Sequence, residues 1–255
     1  MIKNKCDTSC LTESEKKYFD FNVKLGYPFK YKTDTHRIKI IVQTASLTAD
    51  EMKTYEVINK VDKIPVKDLN WLDVSNVQYF DRMFNSVYGK FDISKWDVSK
   101  GTSFYSMFSS AVIFADISNW NMSNALTLAN MFAYSRVKVG DLSKWDTSKV
   151  RSLNRTFANS YYAIDGISEW NVSNVKDMAE TFSNSHYNCD LSKWDVSNVR
   201  DMSALFCNSD FNNDSISEWN VSDVTDTVMM FASSDFDQDI SKWNFKNLRN
   251  MNGMF

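Results

Sequence analysis

Few residues in this sequence have the type and spacing that chemistry requires. There are two histidines, His36 and His186, and four cysteines, Cys6, Cys10, Cys189 and Cys207. Acyl-transfer chemistry needs a nucleophile, a base and a group that orients the base, and nothing around either histidine proposes such a set. Cys6 and Cys10 could clamp a metal only with further ligands; they read as part of a mobile polar tail. Cys189 and Cys207 hold unrelated places in the pattern described below, so a disulfide framework is not expected. Asp235, Asp237 and Asp239 alternate, with Asp210 and Asp214 at the equivalent corner. Calcium takes such carboxylates, yet neither an EF-hand loop nor a glycine–aspartate nonapeptide accompanies them. No glycine-rich phosphate loop occurs. The expectation is a protein without enzymatic activity, with no catalytic residue, no metal and no cofactor.

The bulk composition narrows the partners. Hydrophobic residues at 43% and charged residues at 24% are ordinary for a folded domain. A net charge of −3 supplies neither the basic stripe that nucleic acid requires nor a polybasic segment for an anionic membrane. The opening MIKNKCDTSCLTESEKKYFDF has no apolar run of the signal-peptide kind and no lipobox, and no stretch is apolar enough for a membrane-spanning helix. Only six glycines and two prolines are present, so the turns must be made by Asn, Asp and Ser.

The elements that would position any functional group are repeats. DISKWDVSK, DISNWNMSN, DLSKWDTSK, GISEWNVSN, DLSKWDVSN, SISEWNVSD and DISKWNFKN follow one another, with tryptophans at 96, 120, 145, 170, 194, 219 and 243. A phenylalanine stands twelve residues after each, from Phe108 to Phe255. An earlier copy, DLNWLDVSNVQYFDRMF, ends at Phe84; aligning its Asp68 with Asp92 puts Leu72 in the tryptophan slot and makes every spacing 24 or 25 residues. The first of eight copies is thus a variant, as terminal repeats usually are.

Within a copy, Leu191, Trp194, Val196 and Val199 fall at the leucine-rich-repeat spacing, with the asparagine one place early at Asn198. Trp194 and Val196 alternate with Lys193 and Asp195, which predicts a short strand. Val199, Met202 and Phe206 then follow at i, i+3 and i+7, which predicts a short helix, with Ser197 or Asn198 at its N-cap. Ser135, Ser160, Ser185, Ser209 and Ser234 recur where the chain turns back. One unit cannot bury its own apolar face, but a stack can. The expected fold class is therefore an α/β repeat solenoid over residues 64–255, each of its eight turns holding one short parallel strand and one short helix. The 15% aromatic content is explained by rows of Trp and Phe inside.

The residues flanking each tryptophan face outward in this reading. Before it stand Lys95, Asn119, Lys144, Glu169, Lys193, Glu218 and Lys242; after it stand Asp97, Asn121, Asp146, Asn171, Asp195, Asn220 and Asn244. From Lys144 onward, Lys-Trp-Asp alternates largely with Glu-Trp-Asn. Like charges stacked directly opposite one another destabilise a sheet, so the alternation makes each neighbour attractive. These fourteen residues are the candidate binding site, and two readings stay open for them: a solubilising register ladder, or a recognition surface for a protein partner.

Residues 1–63 do not carry the repeat and are expected to form an α/β cap over its first open end. His36 to Thr44, HRIKIIVQT, predicts a strand. Thr48 and Glu51 form a capping box with a Leu47–Met52 staple, and Tyr55, Ile58 and Val61 continue an apolar face. At the other end the sequence stops at MNGMF with no polar cap, which points to a cut from a longer array or to cover by another molecule, including self-association through the C-terminal turn.

The unit F-N-x-D-x-S-x-W-D-V-S-N-V-x-x-M-x-x-M-F resembles the roughly 25-residue repeat of BspA-like leucine-rich-repeat surface proteins, found in mycoplasmas, other AT-rich bacteria and some large DNA viruses of protists. The likeness covers about residues 64–255. It implies a right-handed, leucine-rich-repeat-like solenoid and a surface protein that binds host or matrix components; the family has no catalytic residues to carry over. Adhesion or protein binding is the function so implied, and a structural part in a virion or surface layer is the alternative.

Overall fold

A stretch of 24 or 25 residues without long strands or helices has backbone groups that only its neighbours can satisfy. The computed structural model, which describes residues 31–32, 35–48, 51 and 64–255, shows where those partners lie. Parallel bridges join Tyr79, Ser103, Thr127, Ser152, Asp177, Asp201, Asp226 and Asn250 in one unbroken row, each five residues before a repeat phenylalanine. From this row on, alternate N–H groups cross to the next copy: Phe104 N donates to Thr127 O, Ser106 N to Ala129 O, Phe108 N to Met131 O and Ser110 N to Ala133 O, at 2.8 to 3.2 Å. The N–H groups between them turn back within the copy, Met107 to Phe104 O and Ser109 to Ser106 O.

This zigzag requires left-handed residues two places before and two places after each phenylalanine. Ser106 and Ser110 have φ of 53° and 58°, Glu180 and Asn184 54° and 53°, and Met229 and Ser233 55° and 57°. A side chain in this region costs roughly 1–2 kcal/mol, and the cross-copy hydrogen bonds offset it. The slot after the phenylalanine uses mainly Ser and Asn, and Asn is among the residues that tolerate the conformation best after glycine. Gly253, at φ 60°, fills the slot before Phe255.

The helix expected after each tryptophan is replaced by these turns; residues 203–208 are hydrogen-bonded turn, not α-helix. The reason is spacing. The phenylalanine rings from Phe84 to Phe255 stack with centroids 5.2 to 5.9 Å apart, whereas an α-helix with side chains is about 10–12 Å across. Helices cannot follow one another at half their own diameter.

No regular strand lies at any of the seven repeat tryptophans; the longer ones follow the phenylalanines, and only the two-residue Leu72–Asp73 falls in the tryptophan slot, that of the variant first copy. β1 is Tyr31–Lys32, β2 Val66–Asp68, β3 Leu72–Asp73, β4 Tyr88–Asp92, β5 Val112–Phe114 and β6 Arg136–Lys138. β2, β4, β5 and β6 form a parallel sheet in that order, and β1 pairs with β3. Asp68 pairs with Asp92, the register read from the spacing alone. At the tryptophans the predicted alternation holds without a strand: Trp96 and Val98 are buried, Lys95 and Asp97 exposed.

The core is a continuous filling of aromatic and aliphatic rows. Trp170, Phe84, Phe108, Phe132, Phe157, Phe182 and Phe206 are almost wholly buried; Phe255, in the last copy, is 71% exposed. Trp96 stacks on Trp120 and Trp145 on Trp170 at 6.2 and 5.9 Å. Each repeat tryptophan also sends its indole N–H to the preceding copy, Trp96 to Leu69 O at 2.9 Å, Trp170 to Leu142 O at 3.2 Å and Trp243 to Ile216 O at 2.9 Å. Tryptophan recurs because it fills the row and its buried indole N–H finds an acceptor there, a carbonyl already bonded once within its own copy and able to accept a second time.

The segment His36 to Thr44 is a helix, α1 (Thr35–Thr44), and not the expected strand. Ile38, Ile41, Val42 and Ala45 are buried, the i, i+3, i+4, i+7 spacing of one helical face. On its flank, Lys39 Nζ donates to Asp81 O at 3.3 Å and Gln43 Nε2 to Asn85 O at 3.1 Å. These carbonyls occupy the places of Tyr105 O and Ser109 O, which in the next copy accept from Arg82 N and Ser86 N. Two side chains one helical turn apart thus satisfy acceptors that the first copy would leave open. Thr48 and Glu51 form the predicted capping box, with Glu51 N to Thr48 Oγ1 at 3.2 Å and Thr48 N to Glu51 Oε2 at 2.7 Å; these bonds hold the Glu51 carboxyl below its usual range. Met52, Tyr55, Ile58, Val61, Cys6 and Cys10 lie outside the described residues. No helix among the described residues is long and apolar enough to cross a membrane.

Candidate functional site

The fourteen residues flanking the tryptophans are all exposed, but the two positions behave differently. The residue after tryptophan is spent on its own chain. Asp97, Asn121, Asp146, Asn171, Asp195 and Asn220 each accept the N–H of the serine two residues on, at 3.0 to 3.2 Å. These Asx turns reverse the chain without glycine or proline. At Asp146 the Ser148 hydroxyl and N–H hold the carboxyl below its usual range.

The residue before tryptophan reaches outward. Lys193 Nζ meets Glu169 Oε1 and Oε2 at 2.6 and 2.8 Å, and Lys242 pairs with Glu218, which raises the Lys242 ammonium above its usual value. The side chains of both pairs remain 44% to 70% exposed. The alternation of sign therefore joins copies two by two. Lys95, Asn119, Lys144 and Asn244 are exposed in the same rows. Below them Asn124, Asn174, Asn198 and Asn247 donate from Nδ2 to Ser99, Ser148, Ser173 and Ser222 carbonyls of the preceding copy at 2.7 to 2.8 Å. A hollow of about 360 Å³ opens between two copies here, lined by Asp195, Ser215, Glu218 and Asn220 among others.

A second corner, after the phenylalanines, entered the sequence reading only through its aspartates. Its outward positions are four and six residues past each phenylalanine. In the N-terminal half they read Tyr88 and Lys90, Val112 and Phe114, then Arg136 and Lys138, on β4, β5 and β6. Parallel register lines up Tyr88, Val112 and Arg136 in one column, and Lys90, Phe114 and Lys138 in the other. The next copy bulges. Its Tyr162 holds the slot that Ile113 and Val137 fill inward, yet is exposed together with Tyr161. Tyr187 of the following copy is buried against Phe157 and Phe182 at 5.1 and 5.3 Å, and its hydroxyl accepts from Ile164 N at 2.9 Å; burial keeps that phenol protonated. Outside, the Arg136 guanidinium lies over the Tyr161 ring at 4.6 Å and Lys138 over Tyr162 at 5.5 Å. A hollow of about 340 Å³ adjoins them, lined by Lys138, Asp141, Tyr162 and Asp165. The extra residue of a 25-residue copy and the change of residue class down these two columns were the signals available in the sequence.

In the C-terminal half the same columns carry His186, Asp210, Asp235 and Asp237, all exposed. His186 Nδ1 is 2.6 Å from Asp210 Oδ2. Asp239 accepts from Ser241 N at 2.8 Å in another Asx turn, and Asp214 opens a short 3-10 turn, Asp214–Ile216. Among the described residues no group of three or more His, Cys, Asp or Glu is placed to hold a metal ion. Cys189 is partly buried, and burial pushes its thiol up to about 11, away from the reactive thiolate range.

Comparison with known proteins finds a family model described as Mycoplasma protein of unknown function, DUF285, over residues 52–163 and again over 152–255. No curated protein and no solved structure matches.

Proposed function

For a chain that belongs to the Mycoplasma protein family of unknown function DUF285, we propose a non-enzymatic protein-binding or adhesion role, with host or matrix proteins as the partners. On this reading residues 64–255 are a right-handed, leucine-rich-repeat-like solenoid of eight turns, of the BspA-like surface type. The single observation that carries the role is the contrast between a constant interior and a changing exterior. The rings inside repeat copy after copy, while the exposed residue before tryptophan changes from Lys to Asn to Glu along the stack. Such a surface is fixed in space by its core and free to vary in charge, which suits recognition. The position after tryptophan contributes turns, so recognition rests on Lys95, Asn119, Lys144, Glu169, Lys193, Glu218 and Lys242.

The test begins with a pull-down by the intact chain from host and native lysates, and identification of what is retained. The triple variant Lys144→Glu, Glu169→Lys, Lys193→Glu is then compared with the parent. The reading expects the retained partner to be lost while the thermal midpoint stays put, since exposed pairs contribute only ~0–1 kcal/mol each. Equal retention by the variant would remove this row from the site.

A further inference from the structure

We propose that the corner after the phenylalanines is a self-association surface, on which a second copy of this chain docks antiparallel. The observation is a reversal of charge along one pair of columns. Arg136 and Lys138 stand in the N-terminal half, each over an exposed tyrosine ring; Asp235 and Asp237 stand in the same columns four copies later. The aspartates of the neighbouring Asx turns, such as Asp92, Asp116, Asp190 and Asp239, recur in both halves and so do not set one end against the other. Asp141 and Asp165, beside Lys138 in its hollow, balance the two cations in formal count, so the contrast between the ends lies in the two columns themselves.

A two-fold axis near His186 sets Arg136 and Lys138 of each copy against Asp235 and Asp237 of the other, so the same contact forms twice, as an isologous interface demands. Tyr161 and Tyr162, at 55% and 38% exposure, add aromatic area to each contact. A parallel arrangement would oppose like charges instead. Successive strands are about 4.8 Å apart, so the strip is roughly 30 Å long and one strand wide. That is less area than a permanent dimer buries, and the association is therefore reversible and weakened by salt.

Sedimentation equilibrium of the purified intact chain tests this without any foreign partner, so its outcome is independent of the adhesion reading. At about 20 mM salt the parent associates, and at about 500 mM it dissociates, because screening shortens the reach of exposed charges. The variants Arg136→Glu/Lys138→Glu and Asp235→Lys/Asp237→Lys each weaken self-association roughly tenfold or more. An equimolar mixture of the two recovers it, because each reversed end then meets its complement. Loss of association through misfolding would not be rescued by mixing, and circular dichroism of each variant checks the fold. A parent that sediments as a monomer at low salt up to millimolar concentration overturns the proposal. So does association that either swap leaves unchanged, or a mixture that stays monomeric while both variants are folded.

Discussion

The tryptophan corner and the corner after the phenylalanines are made by the same chain at the same repeat spacing, yet they end differently. At the first, Asp or Asn closes on a serine N–H, asparagines bind the preceding copy, and indole N–H groups are satisfied inside. At the second, strands β4 to β6 give way to a bulge, tyrosines stand in solvent, and charge reverses from one half to the other. Positions that must satisfy a backbone group in every copy cannot vary. Positions without that duty in every copy can, and they are where one copy differs from the next.

The comparison breaks hardest if the common interior is removed. Phe182→Ala deletes a fully buried ring stacked on Phe157 and Phe206 and should cost about 3–5 kcal/mol, read as a lower denaturation midpoint. Trp170→Phe keeps most of the apolar volume but leaves Leu142 O with the Trp145 N–H as its one donor; the expected loss is about 0.5–1.5 kcal/mol. A loss near that of Phe182→Ala would mean that the row depends on indole volume and not on its hydrogen bond.

The smallest change sharpens the role of the Asx turns. The Asp146 carboxyl is held below its unfolded value by Ser148, so its contribution is present above about pH 4, the unfolded carboxylate range, and is lost as pH falls through the lower, folded value. Asp146→Asn keeps the turn, as Asn121 and Asn171 already do in neighbouring copies. The variant should match the parent at neutral pH within about 0.5 kcal/mol and lose less stability than the parent in acid titrations followed by circular dichroism. A clear loss at neutral pH would show that the charge, and not the acceptor, holds the turn.

Much of this was legible in the residues because stacking is a matter of period. The spacing of Trp and Phe gave the copies, the Asp68–Asp92 register and the inward rows, and Thr48 with Glu51 announced its capping box. The helix after each tryptophan was not legible as absent. The i, i+3, i+7 spacing of Val199, Met202 and Phe206 fits a helix as well as it fits turns with left-handed residues, and only the ring spacing of the stack excludes the helix. The segment at His36–Thr44 misled in the opposite sense. Its β-branched run suggests a strand, while the helical face of Ile38, Ile41, Val42 and Ala45 is set by packing over the first copy. The tyrosine corner was hidden because Tyr162 leaves its column only through a bulge, which no composition reports.

The account rests on each copy lying directly against the next, with the indole of one bonded to the backbone of the other. Nuclear Overhauser contacts from the Trp170 Nε1 proton, in a sample labelled at tryptophan and leucine, test this most directly. The structure predicts slow exchange of that proton and a contact to Leu142, 28 residues earlier. Rapid exchange, or contacts confined to residues near Trp170 in sequence, would contradict it.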